Sequence, residues 1–216
     1  MSITGNARKL TFVSKNLGKD IDLMLMFDPP KEGTLFTDLY PVCWKVLQFS
    51  ASNISTAVVV YTADTAFIVP QANDDSNIVS ALNVERCQGG QVCSLMTNNK
   101  GNNYLTHPGV GTPGIIQCKI QSAKPADLAF GIMGKDQSVA PIFKWTGLGV
   151  DSTLAVKLTP VLRIYGVSDY HSSEILTANV NTDELFRQDL TQLPHETTWN
   201  VVRDPSSLQL KIVRAK

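Results

Sequence analysis

Two cations set among apolar neighbours are the residues best suited to chemistry in this sequence. Lys45 stands in Val-Cys-Trp-Lys-Val-Leu-Gln-Phe (42–49), where alternation puts it on one side with Cys43, Leu47 and Phe49. Arg163 lies between Val161 and Tyr165 in the same alternating way. A charge on an apolar face must reach water along its stem, find a partner, or meet a ligand. Trp44 and Trp145 also lie in apolar segments, where an indole either fills core or offers a stacking platform. The ligand-binding set expected from these residues is therefore Lys45 and Arg163 as cationic anchors, with Trp44 and Trp145 as stacking surfaces.

Other chemistries find less support. Gly109-Val-Gly-Thr-Pro-Gly114 matches a dinucleotide fingerprint letter for letter. That fingerprint needs a strand before it and a helix after it. Here a polar loop precedes it, strand-like Ile-Ile-Gln-Cys-Lys-Ile follows, and Pro113 removes an N–H, so a Gly/Pro turn is expected. His107, His171 and His195 include no pair at the spacing that puts two imidazoles on one helix face, and no metal site is expected. Asp169-Tyr-His171-Ser-Ser-Glu174 reads as turn composition. No nucleophile elbow, phosphate-binding Gly-Lys-Ser/Thr loop or zinc-protease helix motif is present, so no catalytic residue is named and a non-enzymatic role is expected. Dispersed carboxylates, which need no compact motif, keep an enzyme as the least favoured alternative.

The elements that would position these residues are strands. Short apolar runs recur between Gly, Pro, Asn and Asp, and period-two alternation marks 154–158 and 208–212. Residues 9–15 and 21–27 flank Asn16-Leu-Gly18 and read as a β-hairpin. In 21–27 both faces are apolar, with Met24 and Met26 opposite Leu23, Leu25 and Phe27, which predicts a central strand. Further strands are predicted over 42–50, 56–62, 91–97, 115–122, 127–133, 140–145, 153–159, 161–166, 198–203 and 208–214. Asn181-Thr-Asp-Glu184 resembles a helix capping box and predicts one short helix near 182–190. Residues 76–87 fit either a strand or a short helix. No helical segment repeats between strands, so the expected fold is a single all-β domain over 1–216, an antiparallel β-sandwich.

Composition narrows the partners. The 216 residues are 43% hydrophobic and only 18% charged, with 19 basic residues balancing 19 acidic ones. A neutral chain whose one basic concentration is Lys211, Arg214 and Lys216 is not expected to bind nucleic acid or anionic lipid. No apolar run reaches the ~18–20 residues of a membrane helix, and no leader-like segment opens the sequence, so a cytosolic location is expected. Cys43, Cys87, Cys93 and Cys118 are widely spaced, which fits reduced, buried thiols in that compartment. Asn53-Ile-Ser55 fits a glycosylation sequon that such a location would leave unused.

Four stretches carry a likeness: Leu-Thr-Phe-Val-Ser-Lys-Asn (10–16), Met-Phe-Asp-Pro-Pro-Lys-Glu-Gly-Thr-Leu-Phe-Thr-Asp-Leu-Tyr-Pro (26–41), Thr-Pro-Val-Leu-Arg (159–163) and Thr-Thr-Trp-Asn (197–200). They resemble a family of mostly uncharacterised proteins from mushroom-forming fungi that includes a pink fruiting-body chromoprotein. The resemblance implies a pigment-binding protein and transfers no ligand residue to a position here. The expectation is thus a binder of a small conjugated or acidic molecule, with an aromatic pigment as its implied cofactor. A carbohydrate-binding or pore-forming defence protein is the alternative.

Overall fold

The structure, a computed structural model, describes residues 7–31, 33–72, 79–167 and 169–215. The β-branched and aromatic runs form strands, and the protein is all-β. Sheet I holds β1 (Arg8–Lys15), β5 (Ile54–Tyr61), β17 (Glu196–Arg203) and β18 (Leu210–Arg214), in the order β18-β17-β1-β5. Sheet II holds β2 (Ile21–Phe27), β4 (Lys45–Phe49), β15 (Val161–Gly166) and β16 (Glu184–Asp189), in the order β16-β15-β2-β4. Sheet III holds β3 (Leu39–Pro41), β6 (Thr65–Ala72), β7 (Val79–Arg86), β12 (Ala126–Met133) and β13 (Val139–Leu148), in the order β3-β13-β12-β6-β7. Sheet IV holds β8 (Gln91–Thr97), β10 (Gly109–Val110), β11 (Ile116–Gln121) and β14 (Thr153–Val156), in the order β10-β8-β11-β14, with β9 (Asn103–Leu105) also on β8.

Sheets I and II come from the two ends of the sequence, and sheets III and IV from its middle apart from β3. At one edge β4 runs beside β5, and at the other β16 runs beside β18, so sheets I and II abut along both margins. Their inner side chains, Leu10 and Phe12 from β1 with Leu23, Leu25 and Phe27 from β2, meet in one apolar cluster. The same cluster continues into sheets III and IV through Phe67, Phe130, Leu95 and Ile120. Each such side chain, fully buried, contributes about 1.5–3 kcal/mol of transfer free energy.

Three expectations about local structure change. Residues 9–15 and 21–27 are both strands but do not pair. Asn16 turns the chain with φ 51°, and Leu17 is buried, so the link carries the chain across the core from sheet I to sheet II. Pairing is antiparallel except between β1 and β17 and between β8 and β11, which run parallel. Parallel neighbours need long connections, and both pairs have them. The helix near 182–190 is instead β16, followed by a single 3-10 turn, Leu190–Gln192. Pairing with β15 and the edge-to-face contact of Phe186 with Trp199, with centroids 4.6 Å apart, outweigh a capping signal worth about 1 kcal/mol.

Residues 76–87 resolve as β7 from Val79 onward, and 76–78 lie outside the described residues. The Gly109–Gly114 string is strand and turn. A Cβ on Gly111 would stand 2.8 Å from the Gln91 backbone, so close chain approach, not a phosphate, explains that glycine. All four cysteines are buried and unbridged. Among the described residues no helix is long and apolar enough to cross a membrane.

Candidate functional site

β2 is buried on both faces, as its apolar alternation predicts. Its odd residues enter the main core, and Met24 and Met26 enter a second cluster with Cys43, Tyr165 and Leu176 on the outer side of sheet II. The chain between β15 and β16 covers that outer side: Leu176 N–H donates to the Pro41 carbonyl and Cys43 N–H to the Glu174 carbonyl. Burial under this cover, reinforced by Glu174, pushes the Cys43 thiol up to about 12.

The cover does not close completely. Beside it lies a cavity of about 330 Å³ between sheet II, the loop leading to β3 and residues 176–184. Met26, Leu35, Phe36, Leu176 and Val180 supply apolar wall, and Arg163, Tyr165, Asp183 and Glu184 supply polar wall. Arg163 faces Met26 across the β15–β2 ladder, and Tyr165 faces Met24. Phe36 is held on the rim with φ 60°, a left-handed conformation that costs a phenylalanine about 1–3 kcal/mol. Its N–H donates to the Leu39 carbonyl, closing the turn that keeps it there.

Arg163 is the centre of this site. Its Nε donates to Glu184 Oε2 and lies 3.5 Å from Asp28 Oδ1, and its guanidinium carbon sits 5.3 Å from the Tyr165 ring centroid. Burial works against the cation, but Glu184, Tyr165 and Asp28 outweigh it and hold Arg163 more firmly charged than a free arginine. Asp28 also accepts from Arg187. Burial pushes the Tyr165 phenol above the ordinary tyrosine range; the Arg163 cation opposes that rise, and Glu184 and Asp28 add to it. Among the described residues, no hydrogen bond engages the two terminal nitrogens of Arg163. Those N–H groups remain available on the cavity wall.

The other residues named from sequence lie elsewhere. Lys45 is exposed at the start of edge strand β4 and is not part of the wall of this cavity. Its apolar neighbours by alternation, Leu47 and Phe49, do point inward, but at the strand end the lysine stem reaches water. Among the described residues the buried lysine is Lys144, whose Nζ lies 3.1 Å from Asp127 Oδ2. Trp44 is 2% exposed and tilts against Phe27 at 5.0 Å, and Trp145 is 1% exposed with Phe143 at 6.1 Å. Both indoles are core, Trp44 from the link just before β4 and Trp145 from β13, each packed into the main apolar cluster, and neither offers a face to a ligand.

Sequence reading missed Asp28, Glu184 and Tyr165. Tyr165 was accessible from its place two residues after Arg163. Glu184 was absorbed into the helix-cap pattern, and Asp28 into a loop signal. Among the described residues no group of three or more His, Cys, Asp or Glu is placed to hold a metal ion. Compared with protein-family models, curated proteins and solved structures, the chain has no match.

Proposed function

We propose that this protein is a non-enzymatic binder of a small conjugated molecule, held in the Arg163 cavity. The observation that carries the reading is a pre-oriented donor. Glu184 and Tyr165 fix the Arg163 guanidinium, and its terminal N–H groups border an apolar cavity whose volume falls within the roughly 300–1,000 Å³ of small-molecule sites. A flat ligand lies along Phe36 and Met26 and presents an oxygen to Arg163. Asp28 and Glu184 already balance the charges of Arg163 and Arg187, so a neutral carbonyl suits the site better than a strongly acidic group. The same pairing occupies the two carboxylates that face each other here, which favours binding over acid–base catalysis. The resemblance of 10–16, 26–41, 159–163 and 197–200 to a mostly uncharacterised family of mushroom proteins that includes a pink chromoprotein makes a fruiting-body pigment the ligand class we favour.

Nile red, an uncharged conjugated dye with a carbonyl acceptor, tests the site. Wild-type protein is expected to bind it saturably with enhanced fluorescence. Arg163→Met and Phe36→Ala each should weaken binding about tenfold, the effect of losing ~1.4 kcal/mol, while Lys45→Met leaves it unchanged. Equal binding by wild type, Arg163→Met and Phe36→Ala would exclude this cavity. An absorption spectrum of protein from its native tissue then identifies the natural ligand: a visible band lost on unfolding supports a pigment, and a flat spectrum removes it.

A further inference from the structure

A second cavity, of about 420 Å³, opens at one end of the sheet I–sheet II pair. It shares Thr182 and Asp183 with the first, yet its chemistry is different and owes nothing to Arg163. Arg203, at the end of β17, lies on its wall. The Arg203 Nε is buried and has no hydrogen-bond partner. Among the described residues the rest of its guanidinium also has neither a hydrogen bond nor an ion pair. A buried cationic N–H without an acceptor is costly, and native structures rarely keep one without a reason.

The opposite charge is present in the same cavity. Asp20, Asp22 and Asp183 line it with Lys19, and the Asp20 carboxylate is occupied by the Ala51 N–H at 2.7 Å. The side chains of Asp22 and Asp183 make no hydrogen bond or ion pair among the described residues. Asp22, Asp183 and Arg203 on one cavity wall, none of the three paired, leave room for a molecule that meets both charges. Gly166 forms the floor, where an added Cβ would press on Leu185 at 3.1 Å and Leu210 at 3.3 Å. Leu208, 65% exposed and held at φ 58°, adds an apolar side chain at the rim.

We infer that this cavity binds a small zwitterion with an apolar side chain, a free hydrophobic α-amino acid. Its carboxylate satisfies Arg203, its ammonium meets Asp22 and Asp183, and its side chain lies against Leu185, Leu208 and Leu210. A simple anion would face more carboxylates than cations, and a simple cation would leave the terminal N–H groups of Arg203 without an acceptor. Only a ligand carrying both charges removes both deficits.

Calorimetric titration with L-leucine, N-acetyl-leucine and leucinamide tests the inference. Leucine should bind saturably, and each capped analogue, lacking one charge, at least tenfold more weakly. Arg203→Met should abolish leucine binding, and Asp22→Asn should weaken it about tenfold. Leu208→Asn, at a left-handed position that asparagine adopts readily, keeps the fold and should cost several-fold. Absence of saturable leucine binding, equal binding of the capped analogues, or unchanged affinity in both Arg203→Met and Leu208→Asn overturns it. Nile red binding at the Arg163 cavity should persist in Arg203→Met, so failure at one cavity is readable apart from failure at the other.

Discussion

Arg163 and Arg203 border cavities that meet at Thr182 and Asp183, yet the fold treats them in opposite ways. Arg163 emerges from the middle of sheet II, where Glu184 on the next strand and Asp28 just beyond β2 converge on it. Arg203 emerges from the end of β17, where the next element is the turn that leads into β18. There Asp204 directs its carboxylate to Ser206 and Lys211 instead. A charge in mid-sheet can be met by cross-strand neighbours that register delivers; a charge at a strand end depends on what the turn offers. The two cavities differ accordingly: one has a finished polar anchor, and the other has an anchor that awaits its counterpart.

The largest effect that sharpens this contrast is on stability. Arg163→Met leaves Glu184 without its cation on a partly buried wall and Asp28 with Arg187 alone, and should cost roughly 2 kcal/mol at neutral pH, read as a lower urea midpoint at constant slope. A cost near zero would mean that the cluster is solvated and that the anchor is not pre-organised. Arg203→Met should behave oppositely, leaving the ligand-free protein unchanged or more stable by up to about 1 kcal/mol, because it removes an unpaired buried donor. A marked loss would show that Arg203 is already satisfied and would erase the contrast.

The smallest effect is spectroscopic. The Tyr165 phenol titrates above the ordinary range, and Arg163 is the one group holding it down. In Arg163→Met it should titrate higher still, which ultraviolet difference titration reads directly. The sign for stability follows. A phenol that keeps its proton better when folded contributes fully below the ordinary tyrosine value of about 10, and that contribution is lost as pH rises through the folded value. Tyr61, pushed up to about 12 by burial with Arg8 opposing, supplies the same alkaline loss in both proteins and serves as the internal reference.

Local pattern conveyed many of the strands, while β3, β6, β9 and β10 lie outside the predicted segments. Residues 91–97 and 161–166 are β8 and β15 to the residue, and the two-sided apolar pattern of 21–27 predicted the central position of β2. Pairing was less legible, because a turn such as Asn16-Leu-Gly18 serves equally well within a hairpin or between two sheets. The strand β16 read as a helix, since Glu184 fits a capping box and nothing nearby reveals that it reaches Arg163. Of the cations judged by apolar surroundings, Arg163 lines a cavity and Lys45 is exposed at a strand end. Alternation reports which face a side chain takes, but not whether its strand end reaches water. Arg203 gave no local sign at all, since an unpaired donor is defined by what distant segments fail to supply.

The parallel pairing of β1 with β17 carries a consequence for biosynthesis. Lys9 lies opposite Glu196 and Ser14 opposite Val201, so a strand made among the first must wait for one made among the last. Until then β1 has only β5 for a neighbour, and its other edge is a free row of backbone donors and acceptors. Sheets III and IV, whose strands other than β3 lie between β5 and β15 in the sequence, can form meanwhile. This pairing predicts that sheets III and IV can form before sheet I is complete, and that the second edge of β1 stays open until residues 196–203 arrive.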